Sequence, residues 1–118
     1  MTARVPVVED DRVFRIPLRA ELAAAGFTVL IADSAEAAEQ VMALEPVDVV
    51  LSDVGLPGMD GYALARRHPD TPFVLMTGSP TSAAASPGMR VCLGKPFEIP
   101  HLLSTLTSTM RGKAHASS

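Results

Sequence analysis

Three acidic residues in a row, Glu9, Asp10 and Asp11, close the apolar run 5–8, and a second apolar run, 47–52, ends in Asp53. If both runs are neighbouring parallel strands, the acids meet at one edge of the sheet. Carboxylates crowded there without a cation cost free energy, because like charges at short range disfavour mutual ionisation. A divalent metal resolves the conflict. Hard oxygen ligands suit Mg²⁺, which takes one or two carboxylates and leaves its other positions to water and a phosphate. Two further residues fall at the same edge: Thr77 follows a fourth apolar run and Lys95 a fifth. A lysine offers a point positive charge to phosphoryl oxygens and a threonine offers a hydroxyl donor. The set points to phosphoryl chemistry.

The elements that must position these residues fit into one domain of 118 residues, long enough to bury roughly two-thirds of the surface its unfolded form exposes. Ten basic against thirteen acidic residues give a formal charge of −3, which argues against direct contact with nucleic acid, whose binders carry a basic face. Cys92 is the single cysteine, so no internal disulfide forms and nothing points to an oxidising compartment. The first residues lack a signal-peptide core, and no apolar stretch approaches the ~18 residues needed to cross a bilayer. The chain reads as soluble and cytoplasmic, with no membrane partner.

Short Val/Leu/Ile runs alternate with helix-patterned segments, the signature of βα units on a parallel sheet buried on both faces. Strands are expected at 4–8, 28–32, 47–51, 73–76 and 90–93, and helices at 12–25, 35–44, 61–68 and 99–110. Gly26 stops the first helix, and Pro17 disturbs it by removing an interior hydrogen bond. Asp33 with Glu36 three residues later gives the second helix a capping-box start, and Pro46 prevents its continuation. The stretch 79–88 holds two prolines and three serines around Ala83, Ala84 and Ala85, so the helix expected there is about one turn or absent. Residues 111–118 carry no apolar pattern and are expected to be a disordered tail, leaving 1–110 as the domain. Asp11 reads as a helix cap, and His68, His101 and His115 read as solvated surface residues. Five such units form an open, doubly wound, flavodoxin-like sheet of order 2-1-3-4-5, with its site at the carboxyl ends of the strands beside the switch point. Strands one and three flank that point, so the topology alone brings Glu9, Asp10, Asp11 and Asp53 together.

In sequence order, Val7-Val8-Glu9-Asp10-Asp11, Leu51-Ser52-Asp53 with Leu56-Pro57-Gly58-Met59-Asp60-Gly61, Met76-Thr77-Gly78 and Lys95-Pro96-Phe97 resemble the receiver domain of two-component response regulators. Each piece alone is common, whereas four in order at four strand ends are specific. The resemblance implies that Asp53 accepts a phosphoryl group from a histidine kinase or phosphotransfer protein. It implies that Glu9, Asp10, Asp53 and the carbonyl of Gly55 hold Mg²⁺, that Thr77 and Lys95 contact the phosphoryl group, and that the bond before Pro96 is cis. It also implies a signalling phosphoprotein that acts by contact with a downstream protein, not an enzyme beyond its own phosphorylation and self-dephosphorylation. Family analogy allows a homodimer through the final helix and strand.

Two features depart from the family pattern. Receivers commonly carry a Tyr or Phe three residues before the lysine as a switch residue, and here that position is Cys92. The segment 79–89 is shorter and richer in Pro and Ser than its counterpart, and residues 79–88 are expected to be mobile and to order on binding or phosphorylation. These features support the alternative of a phosphorylation-independent, receiver-like interaction module. With no output domain after Met110, a stand-alone receiver is expected, while Leu75-Met76-Thr77-Gly78 and Leu93-Gly94-Lys95-Pro96-Phe97 also resemble receivers excised from hybrid kinases. A small phosphohydrolase working through an aspartyl phosphate is the weakest reading, because the chain has no cap or substrate-binding segment.

Overall fold

A computed structural model describes residues 2–78 and 91–116, with side chains as far as Arg111. Its five strands are β1 (Arg4–Val8), β2 (Thr28–Ala32), β3 (Val50–Asp53), β4 (Phe73–Thr77) and β5 (Val91–Gly94). They pair in parallel in the order β2-β1-β3-β4-β5, the flavodoxin-like order expected from the sequence. The described helices are α1 (Arg12–Ala24), α2 (Ala35–Leu44), α3 (Gly61–Arg67) and α4 (Ile99–Ala116). The shortened or disordered helix expected at 79–88, and the ordering proposed for it, lie outside the described residues.

The period-two geometry of a strand sorts each apolar run onto two faces. Val5, Val7, Val49, Leu51, Val74 and Met76 pack with Leu18 and Leu22 of α1 and Leu102 and Leu106 of α4. Val8, Val50, Phe73 and Leu75 turn the other way, onto Ala35 and Ala38 of α2 and Leu64 and Ala65 of α3. All these residues are at most 4% exposed. Continuous apolar runs, rather than alternating ones, are therefore what both faces require.

Several local details differ from expectation. β3 begins at Val50, not residue 47, and its ladder with β1 holds only Val7↔Leu51 and Val8↔Ser52. Pro6 is the reason: on the side of β1 that faces β3 it has no N–H to donate. Upstream of it the chains are tied through Asp48, whose N–H donates to the Arg4 carbonyl (2.9 Å) and whose carboxylate accepts from the Arg4 N–H (2.7 Å). The cap of α2 is Ser34, not Asp33, because the Ser34 hydroxyl accepts from the Ala37 N–H at 3.1 Å. α1 runs unbroken through Pro17. The final helix continues to Ala116, so residues 111–116 are helical rather than a disordered tail. Once Leu102 and Leu106 anchor the helix, each further residue extends an existing nucleus. His68 is tied down: its Nε2 lies 2.8 Å from Oε2 of Glu39, which also accepts from Arg67 Nε at 2.7 Å, joining α3 to α2.

Candidate functional site

Every residue expected to hold the metal or meet the phosphoryl group lies at the carboxyl edge of the sheet, whereas Cys92 lies within β5. Glu9 continues β1, its N–H donating to the Ala32 carbonyl at 3.0 Å. Asp53 is the last residue of β3 and Thr77 the last of β4. Lys95 follows β5, its N–H bonded to the Thr77 carbonyl at 2.7 Å. Asp10 precedes α1, where Asp11 is the N-cap and accepts from Val13 N–H at 3.0 Å. One backbone layer thus presents three carboxylates, a hydroxyl and an ammonium.

The carboxylates converge. One oxygen from each of Glu9, Asp10 and Asp53 lies within 4.8 Å of the other two. Lys95 Nζ sits 3.0 Å from Glu9 Oε1 and 3.0 Å from Asp53 Oδ1, so one cation answers two of the three anions. Glu9 is buried, Asp53 half-buried and Asp10 exposed. Burial pushes the Glu9 carboxyl above its usual range; the Lys95 hydrogen bond and the Asp11 N–H, at 3.2 Å, partly offset this, and the neighbouring Asp53 charge adds to it. Burial by itself lowers the Lys95 ammonium, but its bonds to Asp53 and Glu9 outweigh that and hold it above the usual lysine value. Three carboxylates to one lysine leave net negative charge, and the donors are all oxygen. That set fits a small hard dication.

Sequence reading missed the housing of the lysine. Lys95 Nζ lies 4.3 Å from the ring centroid of Phe14, and Phe97 meets Phe14 edge-on at 5.9 Å. A cation over a ring gains ~0.5–2 kcal/mol, so Phe14 restricts where the ammonium can go. Arg15 Nη1 donates to the Glu9 carbonyl at 2.9 Å, a second brace from α1. The apolar pattern of α1 marks Phe14 as a packing residue, and nothing local ties it to a lysine so distant in the chain.

The loop after Asp53 is tight. Leu56 N–H and Gly61 N–H both donate to the Val54 carbonyl, and Asp60 caps α3 by accepting from Ala63 N–H at 2.8 Å. A Cβ on Gly61 would fall inside contact distance of the Asp53 carbonyl oxygen and 3.0 Å from Val54 Cα. Only glycine lets α3 start this close to the acid. Gly55 is exposed on the rim, where a Cβ would stand 3.8 Å from Asp53 Oδ2. Thr77 is buried and Cys92 half-buried in β5, where burial pushes its thiol up. The Lys95–Pro96 peptide is cis.

This sheet and this edge define a flavodoxin-like α/β module with an acidic pocket at its carboxyl edge, and the response regulator receiver domain family matches residues 5–107. The chain belongs to that family. It is 40% identical to the response regulator protein FleR of Pseudomonas aeruginosa over 121 aligned residues, covering 96% of this chain and 26% of that protein. It is also 40% identical to the DNA-binding transcriptional regulator NtrC of Escherichia coli over 101 residues, covering 79% of this chain and 22% of NtrC. The chain therefore spans about a quarter of the length of each of these two relatives. Among solved structures, the receiver domain of an HD domain-containing protein from Pseudomonas fluorescens superposes with a TM-score of 0.85 at 26% identity, covering 98% of this chain and 92% of that one. Chemotaxis response regulator CheY4 of Vibrio cholerae gives 0.80 at 25% identity, covering 92% and 99%. Receiver domains bind Mg²⁺ in their acidic pocket and interact with histidine kinases or phosphotransfer proteins. Among the described residues, no helix is long and apolar enough to cross a membrane.

Proposed function

We propose that this chain accepts a phosphoryl group on Asp53 from a phosphohistidine of a kinase or phosphotransfer protein and signals through protein contact. The observation that carries this reading is the position of Lys95 Nζ, 3.0 Å from both Asp53 Oδ1 and Glu9 Oε1, within a group of three converging carboxylates. Glu9, Asp10 and Asp53, with the Gly55 carbonyl, would hold Mg²⁺, which supplies charge neutralisation at the phosphoryl oxygens when bound.

The remaining chemistry belongs to the chain. An Asp53 carboxylate oxygen attacks phosphorus in line, the P–N bond breaks with its electron pair leaving on the imidazole, and an acyl phosphate forms. Lys95 exchanges a carboxylate oxygen for a phosphoryl oxygen while Phe14 keeps the ammonium in place. Thr77, at the end of β4, offers its hydroxyl to the modified group, which adds roughly −1.5 to −2 charge. Later attack of water on the same phosphorus returns the carboxylate and inorganic phosphate, so turnover is self-limited and the protein is not an enzyme in the ordinary sense. A cytoplasmic setting, alongside a kinase's transmitter module, accords with this chemistry.

The test is intact-mass analysis after incubation with Mg²⁺ and a small acyl-phosphate donor. One phosphate adduct that requires both Mg²⁺ and Asp53, and is lost in Asp53→Asn, is expected. A folded protein that gives no adduct, with this donor or with a phosphorylated histidine protein, would favour the constitutive interaction module that Cys92 suggests.

A further inference from the structure

We infer that the groove between α1 and the outer edge of β2 docks an acidic peptide in extended conformation, which adds as a strand beside β2. The groove encloses about 580 Å³ and is lined by Arg12, Arg15 and Arg19 of α1, with Val29 and Ile31 of β2 on its floor. Arg15 links it to the acidic pocket through the Glu9 carbonyl, and its charge is opposite to that of the chain as a whole, which is −3.

Two independent features of this groove agree on its occupant. The first is backbone. Among the described residues β2 is the outermost strand, paired only with β1. The Thr28 N–H donates to the Ala3 carbonyl and the Ala32 carbonyl accepts from the Glu9 N–H, so the backbones of residues 28, 30 and 32 turn toward β1. Those of Val29 and Ile31 turn outward, into the groove, with no ladder partner among the described residues. A row of outward N–H and C=O groups is a template for strand addition. The second is charge. Arg12, Arg15 and Arg19 recur at three- and four-residue spacing, so they stand on one face of α1. Arg15 is engaged with the Glu9 carbonyl. Arg12 and Arg19 are exposed, and no described ion pair involves either. An incoming strand places every second side chain toward α1, where carboxylates meet the guanidinium forks. A second copy of this chain suits the edge less well, since it brings the same arginine row to the seam. Ile16, 56% exposed, also lines the groove and offers contact to apolar side chains interleaved with the acids.

The experiment uses the full ¹⁵N-labelled chain and a synthetic peptide of alternating Glu and Val, with an alternating Lys and Val peptide and oligothymidylate as comparisons. The acidic peptide is expected to move the Val29 and Ile31 amide resonances and to slow their hydrogen exchange. Arg12→Glu with Arg19→Glu, shown to be folded by circular dichroism, should weaken binding about ten-fold or more, ~1.4 kcal/mol at the least. Unchanged exchange at Val29 and Ile31, or equal binding of the lysine peptide, would overturn the proposal. So would oligothymidylate binding as strongly, which would mean a general anion surface, or a doubled mass without peptide, which would mean that the edge is occupied by a second copy.

Discussion

The Lys95 ammonium lies 3.0 Å from Oε1 of Glu9, a carboxylate only 1% exposed. A buried anion of this kind persists because a cation and a backbone N–H answer it, so the lysine holds the pocket together in addition to the phosphate contact proposed for it. Replacing Lys95 with Met keeps the stem but leaves Glu9 unpaired. A loss of about 2–3 kcal/mol is expected, below the ~3–5 of a fully buried pair because the lysine side chain is 25% exposed. Urea unfolding checks this, and millimolar Mg²⁺ should restore part of the loss.

Asp10 should behave in the opposite sense. It is an exposed acid beside two others, so Asp10→Asn removes like-charge repulsion and should raise metal-free stability by about 0.5–1 kcal/mol after solvent screening. The same substitution removes a proposed metal ligand. Thermal unfolding with and without Mg²⁺ should therefore show a more stable variant that the ion no longer stabilises.

Gly61→Ala tests how closely α3 abuts Asp53. Its Cβ would collide with the Asp53 carbonyl oxygen, and rigid backbone gives way only by moving the end of β3. A cost of about 1–3 kcal/mol is expected, together with slower phosphate uptake by Asp53. Gly55→Ala, whose Cβ meets nothing closer than 3.8 Å, should cost much less.

The tie between α2 and α3 carries a pH signature. Hydrogen bonds from Arg67 and then His68 hold the Glu39 carboxyl below its ordinary value of 4.5. A depressed carboxyl contributes stability that is fully present above that ordinary value and is lost as pH falls through the depressed one. Wild type and Glu39→Gln should differ in chemical-denaturation midpoint at neutral pH and converge as the pH falls below about 4.5. A constant difference down to acid would remove this assignment.

Much of the architecture is legible because each apolar run occupies both faces of a parallel sheet and the acids, Thr77 and Lys95 lie at or just past the end of a strand. Val5 to Val8 followed by acids, and Leu51 and Ser52 followed by Asp53, state the strand and its carboxyl end in one stretch of chain. What escapes is set by contacts between distant segments or by one missing donor. Phe14 becomes the wall of the lysine only because α1 packs beside the β5 end. Glu39 meets His68 only because α2 and α3 share one sheet face. Pro6 delays the start of β3 through an absent N–H on a neighbouring strand, and Ser34 displaces Asp33 as cap by a one-residue shift in helix start. The helical extension to Ala116 follows from an anchored nucleus rather than from any apolar pattern beyond Met110.

Asp53, held by Lys95, is the proposed carrier of phosphate. Reduction with borohydride after exposure to Mg²⁺ and an acyl-phosphate donor converts an aspartyl phosphate to homoserine, which peptide mass spectrometry can assign to a position. Homoserine at residue 53 alone, absent when Mg²⁺ is withheld, is the predicted result. Reduction at Asp10 or Asp11, or none at Asp53 in a chain that had taken up phosphate, would contradict it.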